Sequence, residues 1–563
     1  MNNHTVFILL IILEIFSLSF SQFPANTSIS WQIENLPDSV IRPAQLEYKG
    51  AFKVPQGSGH ESWQYGGSGI TYFPEGDSEG PNDGYPGSLF GCANINGQSV
   101  GELSIPVPVI SPEENLAVLN RATSLQVPVC VVEGTISMDS GPFPNALWTI
   151  GYLPPQGDQS IGKLYFGGWL SYTSQEEWSH GACDLTLSSH NPSGMWRLSG
   201  LSAFEGTNTT MQIPVEWADK YCPGMVLALG GAVNGGSTAY GVGSGPSIIA
   251  CAPLSHGNPP APGTILENKI LLRYGVSSDP SYQAVRDRQK RDCWSGGAWV
   301  NHGDRSAILF FGSKDAGESY YGFPKTSEGY KVFMNEGGHG LPDSCKWMYM
   351  DFDSVYHCLD TNTGQRSWYA DFPRACVYFY DPDDLAKVAQ GLIPSYGPQY
   401  YARLDVSEYM YDQDPQSSFL YGTGYDQANG LLYSFERSIE GDLPIVHVWK
   451  IHEASARIDG NDMRKDIAIT VSPNPFSASI IIAVQGVGSR SMNIPSDMVV
   501  QIFDIAGRRI GIPHDVSTAK HNTPDKIHDA RYTWSAANCP NGVYIVRAKI
   551  GPRTVNRSIM LIR

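Results

Sequence analysis

The sequence predicts an all-β protein: a β-propeller of five blades, with six as the alternative, followed by a small C-terminal β-sandwich. Three observations carry this. The chain holds 59 Gly and 39 Pro in 563 residues, which cut it into short segments. Only Pro112–Ala122 and Pro382–Gln390 have helical periodicity, the latter with Asp381 placed to cap it and Pro382 in its first turn. A unit of apolar strand, small residue, polar loop and second strand then recurs every 60–110 residues or so.

The amino terminus reads as a signal peptide over residues 1–21. Val6–Leu13 is an unbroken apolar run, and Ser19-Phe20-Ser21 ends in small residues, which places the cut after Ser21. The run is too short to span a bilayer. Residues 22–44 form an N-terminal extension.

The main domain, 45–452, carries the repeat. Ser88–Cys92 precedes Ser99–Ile105, Leu164–Gly168 precedes Gly181–Leu187, and Val226–Gly231 precedes Ser247–Ala252. Ala307–Gly312 opens another unit, and Phe419–Gly422 leads to Gly430–Phe435 and Ile445–Trp449. Radial packing accounts for the pattern: inner strands crowd an axis and need small residues, while loops on one face are free to vary. Ile445–Trp449 is expected to complete a blade begun near the N-terminus. The stretches Tyr48–Phe52, Gly66–Tyr72 and Asp83–Phe90 resemble secreted bacterial propeller-like proteins of unassigned activity. That resemblance implies a fold and no catalytic residues.

A polar linker over 453–466 follows. Beyond it, Thr470-Val471-Ser472-Pro473-Asn474-Pro475-Phe476, Val499–Arg509 and Asn541–Lys549 alternate apolar and polar residues between turn signals. In order and spacing, 467–563 resembles the type A C-terminal sorting domain of the type IX secretion system. The resemblance implies export across both membranes of a Gram-negative bacterium to the surface or medium, with the secretion machinery as partner.

Charge divides at the same place. The net charge is −17, but residues 464–563 hold 13 Lys and Arg against 6 Asp, which leaves −24 for the rest. An acidic main domain argues against nucleic acid. Nine of the ten Cys lie before the linker, without any Cys-x-x-Cys spacing. In an oxidising compartment some are expected to pair, with partners that sequence does not reveal.

The candidate chemistry is of three kinds. Asp83, Asp77 and Glu61 are the carboxylates of a glycosidase reading, which needs an acid and a base or nucleophile that converge. Asp77, Glu79 and Asp83 are also oxygen donors of the type Ca²⁺ takes from loops. Trp63, Trp169, Trp178, Trp294 and Trp299, with His180 and His302, lie in Gly-rich or polar surroundings and suit stacking on sugar rings at a propeller mouth. The bland reading competes with each: solvated turns for the carboxylates, and wedges between blades for the tryptophans. The expected function is glycan or other polymer binding at the mouth, with a glycoside hydrolase or lyase and a structural or adhesive protein as alternatives.

Overall fold

The computed structural model describes residues 31–32, 36–77, 83–94, 98–111, 114–133, 146–168, 178–231, 245–254, 259–275, 283–315, 319–323, 331–334, 340–342, 344–351, 354–359, 367–370, 373–412, 419–452, 467–472, 477–486, 498–504, 509–511, 513–515, 528–537, 539–550 and 553–561. The protein is all-β, and its contacts separate Ser30–Glu453 from Ala454–Arg563.

The first unit holds five meandering sheets in chain order. The first runs Ile70–Phe73, Ser88–Asn94, Ser99–Ser104, Ser124–Cys130. The second runs Leu147–Leu153, Lys163–Gly168, His180–Asp184, Ser193–Leu198, with Ile265–Leu266 added in parallel. The third runs Thr209–Gln212, Leu227–Gly230, Ile248–Cys251, Asn268–Leu272. The fourth runs Cys293–His302, Arg305–Lys314, Arg374–Tyr380, Ala402–Asp405, with Trp31–Gln32 outside. The fifth runs Leu420–Asp426, Leu431–Glu440, Leu443–Ile451 and ends on Leu46–Lys53.

The first strand of each sheet packs against the first strand of the next, and Leu420–Asp426 packs in turn against Ile70–Phe73. Glycine permits the close approach. A Cβ on Gly69 would lie 2.8 Å from Thr149 Cα, and one on Gly296 would lie 2.5 Å from the Gly422 carbonyl oxygen. Second strands are covered on both faces by neighbouring sheets; every residue of Ser88–Asn94 is buried. Such strands read as continuous apolar runs, which is why the sequence reveals them.

The strand Leu46–Lys53 pairs with Leu443–Ile451, so the two ends of the unit share one sheet. The segment after Ser104 covers its outer edge. Ala51 and Val109 exchange backbone hydrogen bonds, and Lys53 N donates to Asn120 O while Ala122 N donates to Lys53 O. Covering an edge strand in this way removes a template for unwanted pairing.

A further sheet of five strands is inserted in the fourth: Ser319–Phe323, Val332–Met334, Trp347–Met350, Tyr356–Cys358 and Ser367–Ala370. A Cys345–Cys358 disulfide ties it. Among the described residues, Cys92, Cys130, Cys183, Cys222, Cys251, Cys293 and Cys376 form no disulfide.

The helix Pro382–Ala389 forms with Asp381 as its cap, Asp383 N donating to Asp381 Oδ1 at 2.9 Å. The predicted helix Pro112–Ala122 is corrected. Only Leu116–Val118 makes a 3-10 turn, because the flanking residues are held extended as the strap on Ala51 and Lys53.

In the second unit, Ile467–Ser472, Ser479–Gly486, His528–Ser535 and His514–Asp515 form one sheet. Arg509–Gly511, Met498–Asp504, Gly542–Ile550 and Arg553–Leu561 form another. Ile480, Ile482 and Trp534 of the first share a core with Val500, Ile502, Val546 and Ile559 of the second.

Candidate functional site

The five first strands begin at the same end of the unit, and around that end Gly69, Thr149, Asn208, Thr209, Thr210, Gly296, Gly297, Gly422 and Thr423 line a gap too narrow for a water molecule. Thr149 and Thr210 pair through their hydroxyls at 3.0 Å. Among the described residues, the buried hydroxyls of Thr209 and Thr423 have no hydrogen-bond partner. The gap therefore admits no ligand, and chemistry at this end must use the side chains around it.

Those side chains come from several sheets. The Arg437 guanidinium stands over the Tyr421 ring at 5.1 Å and the Trp148 ring at 6.0 Å. Its Nε donates to the Gly66 carbonyl at 3.2 Å. Arg291 stands over Phe419 at 4.6 Å, and Phe419 packs edge-on against Tyr421. Burial pushes the Tyr421 hydroxyl up in pKa, while Arg437 and Arg291 pull it down.

Beside them is a buried ionic cluster. Lys314 Nζ donates to both oxygens of Asp292, at 3.1 and 2.9 Å, and to Asp287 O at 2.7 Å. Asp292 also accepts from the backbone N–H of Gln289 and Asp315. Asp315 is only 2% exposed; it interacts with the Arg291 backbone N–H, and among the described residues its Oδ1 is left without a well-placed donor. Burial, with Asp292 second, pushes its carboxyl up to about 6. A carboxyl held there can give or take a proton near neutrality.

Sequence alone did not single out Arg437, Arg291, Tyr421, Trp148 or Asp315. Arg291 closes the basic run Arg286–Arg291 inside an acidic domain, and that run was the available signal.

The residues that sequence did single out are placed differently. Glu61 is exposed and precedes Ile70–Phe73, whereas Asp77 and Asp83 follow that strand, in the hairpin at its other end. Thus the strand holds Glu61 apart from them, and Asp83 does not face the axis. Asp83 instead accepts from Tyr85 N at 2.9 Å on an exposed turn. Glu79 lies outside the described residues, as does Trp169. Among the described residues no group of three or more His, Cys, Asp or Glu is placed to hold a metal.

Trp63, Trp294 and Trp299 are buried and offer no ring face to a ligand. Trp63 lies where a Cβ on Gly91 or Gly101 would stand, both 3.0 Å away; Trp294 packs on Tyr378, and Trp299 on Trp217. These are wedges, as the bland reading has it. Trp178 is partly exposed, with Arg197 over its ring at 5.2 Å. His180 is buried between Ser179 Oγ and Gly206 O and stacks on Trp196, and burial lowers its pKa to about 4. His302 ends the strand Cys293–His302, away from the gap, beside Gly430.

A second buried network links Tyr48 OH to His447 Nδ1 at 2.9 Å, and His447 Nε2 to Glu436 Oε2 at 2.8 Å. Glu436 also accepts from Tyr411 N and Asp412 N. Both His447 and Glu436 are sealed from solvent, so the network positions the 407–412 turn and presents nothing to a ligand. The chain matches no known protein family, no curated protein and no solved structure.

Proposed function

We propose that the five sheets are the blades of a five-bladed β-propeller, and that the protein binds glycan or another extracellular polymer at the propeller mouth. In this reading 467–563 is a small β-sandwich that acts as a type IX sorting domain and delivers the protein to the cell surface or medium. One observation carries the binding role. Trp148, Arg437 and Tyr421 form a ring–cation–ring stack drawn from two sheets. Flat rings beside a guanidinium are the equipment of sugar recognition.

A second reading, glycoside hydrolysis or lysis, rests on Asp315. Its raised carboxyl next to the ion-paired Asp292 resembles an acid set beside a charged partner. Ca²⁺ at Asp77, Glu79 and Asp83 stays a proposal.

The test exposes the full chain to a glycan array and to insoluble polysaccharides, with and without Ca²⁺, and assays the same ligands for new reducing ends. Retention without cleavage supports binding. New reducing ends that vanish in Asp315→Asn support the hydrolase. Neither retention nor cleavage removes both. Export is tested apart from this, by deleting 467–563 in a host that has type IX machinery. Retention of the truncated protein in the periplasm is the expected result.

A further inference from the structure

Among the described residues, Arg437 is a cation without a carboxylate in ion-pair distance. It meets two backbone carbonyls, Gly66 O at 3.2 Å and, more weakly, Tyr65 O at 3.5 Å, the Tyr421 hydroxyl and two aromatic rings. The other buried or half-buried arginines and lysines nearby differ: Lys314 has Asp292, and Arg121 has Glu440. The contrast is sharper because residues 1–463 carry a formal −24, so carboxylates are plentiful.

Trp148 and Tyr421 flank the half-buried guanidinium. Ring quadrupoles attract the cation without neutralising its charge. The bonds from Nε to Gly66 O and from Nη2 to Tyr65 O hold the fork at two points. A guanidinium so held presents its remaining N–H groups in a geometry that matches the two oxygens of a carboxylate or sulfate. Arg291, 4% exposed, stands over Phe419 on the other side and has Asp315 as its charge partner, so Arg437 is the cation left for a ligand.

We propose that the mouth selects an anionic ligand, and that Arg437 receives the carboxylate or sulfate of an acidic polysaccharide while Trp148 and Tyr421 take the sugar faces. This rests on the polymer-binding reading and narrows it to acidic chains. Neutral glycans would leave the Arg437 fork unmatched.

Isothermal titration of the full chain tests this with three probes: oligogalacturonate, a heparin-type sulfated oligosaccharide and neutral malto-oligosaccharide. Each is repeated with Arg437→Gln and Arg437→Lys, whose folding is checked by circular dichroism, and at raised salt. The expected result is binding of one or both acidic probes and none of the neutral one. Arg437→Gln should weaken that binding at least tenfold, Arg437→Lys less, and salt should weaken it in the wild type. Oligogalacturonate against the sulfated probe tells carboxylate from sulfate. Neutral and acidic probes bound alike, with Arg437→Gln unchanged, would overturn the acidic selection and leave polymer binding standing. If no oligosaccharide binds, inorganic sulfate decides. A rise in melting temperature that disappears in Arg437→Gln keeps the anion site and removes the polymer, whereas no rise removes both. The wild-type comparison of acidic with neutral probes needs no variant, so a folding defect cannot blunt the test.

Discussion

Arg121 Nη2 donates to both carboxylate oxygens of Glu440, at 2.6 and 2.8 Å, across 319 residues of chain. The pair joins the segment that covers the outer edge of Leu46–Lys53 to the hairpin of the sheet that this strand completes. Arg121 Nη1 also holds the Val54 carbonyl at 2.8 Å. Charge here supplements a backbone clasp. Glu440→Gln is therefore expected to cost only about 1 kcal/mol, as for a partly exposed pair. Gly50→Ala should cost more, about 3 kcal/mol, because φ is +116° and the new Cβ would lie 2.4 Å from Val109 C. Urea unfolding of the two variants measures the difference, and equal losses would contradict the clasp.

Removing Lys314 should be far more damaging. Its amine is the cation paired with Asp292, and both side chains are nearly sealed, at 8% and 1% exposed. Lys314→Met leaves a buried carboxylate uncompensated, with an expected loss of about 3–5 kcal/mol. Lys314→Met with Asp292→Leu should recover much of it. Thermal unfolding of the single and double variants checks this, and a double variant no better than the single would refute it.

Asp315 and His180 give opposite pH dependences. The folded Asp315 carboxyl, at about 6, holds its proton more tightly than the unfolded chain, whose value is 3.8. Its contribution is full below the unfolded value and is lost as pH rises from about 4 through 6. Asp315→Asn should therefore gain on the wild type over that interval, by roughly 2–3 kcal/mol at pH 7. His180 is depressed from 6.5 to about 4, so its contribution is present above 6.5 and is lost as pH falls through 4. Denaturant curves for Asp315→Asn from pH 4 to 8 should keep only that acid-side decline.

At the narrow gap, two kinds of threonine should part company. Thr209→Val and Thr423→Val remove buried hydroxyls that have no partner among the described residues, and each should be neutral or stabilising by about 1 kcal/mol. Thr149→Val breaks the hydroxyl pair with Thr210 and strands its partner, with an expected loss of about 1 kcal/mol. Melting temperatures of the three variants separate the cases.

The sequence made the second strands of each sheet legible, since Leu164–Phe166, Ile308–Phe311 and Leu431–Phe435 are apolar runs enclosed on both faces. It also pointed to Ile445–Trp449 as the partner of an N-terminal strand, and Leu46–Lys53 is that strand. The first strands were harder to see. Thr209-Thr210-Met211-Gln212 and the glycines of Cys293–His302 serve close packing and carry little apolar signal. The site was less legible still. Tyr421 and Arg437 lie on the two strands of one hairpin, but Trp148 is remote in sequence, and only the folded arrangement brings it to them. Trp63 and Trp294, in contrast, have Gly-rich neighbours because glycine makes room for an indole, a packing need that imitates an open loop.

Because Leu46–Lys53 waits for Leu443–Ile451, the chain's order of emergence becomes an order of assembly. Leu46–Lys53 is made near the start of the unit, and its partner strand follows some 400 residues later. Until then its outer-edge clasp, made by the segment after Ser104, is the only backbone pairing available to it. That nearby segment can shelter the strand's hydrogen-bonding groups from the moment residue 122 appears. It thereby acts as an early placeholder against mispairing while the rest of the ring is synthesised.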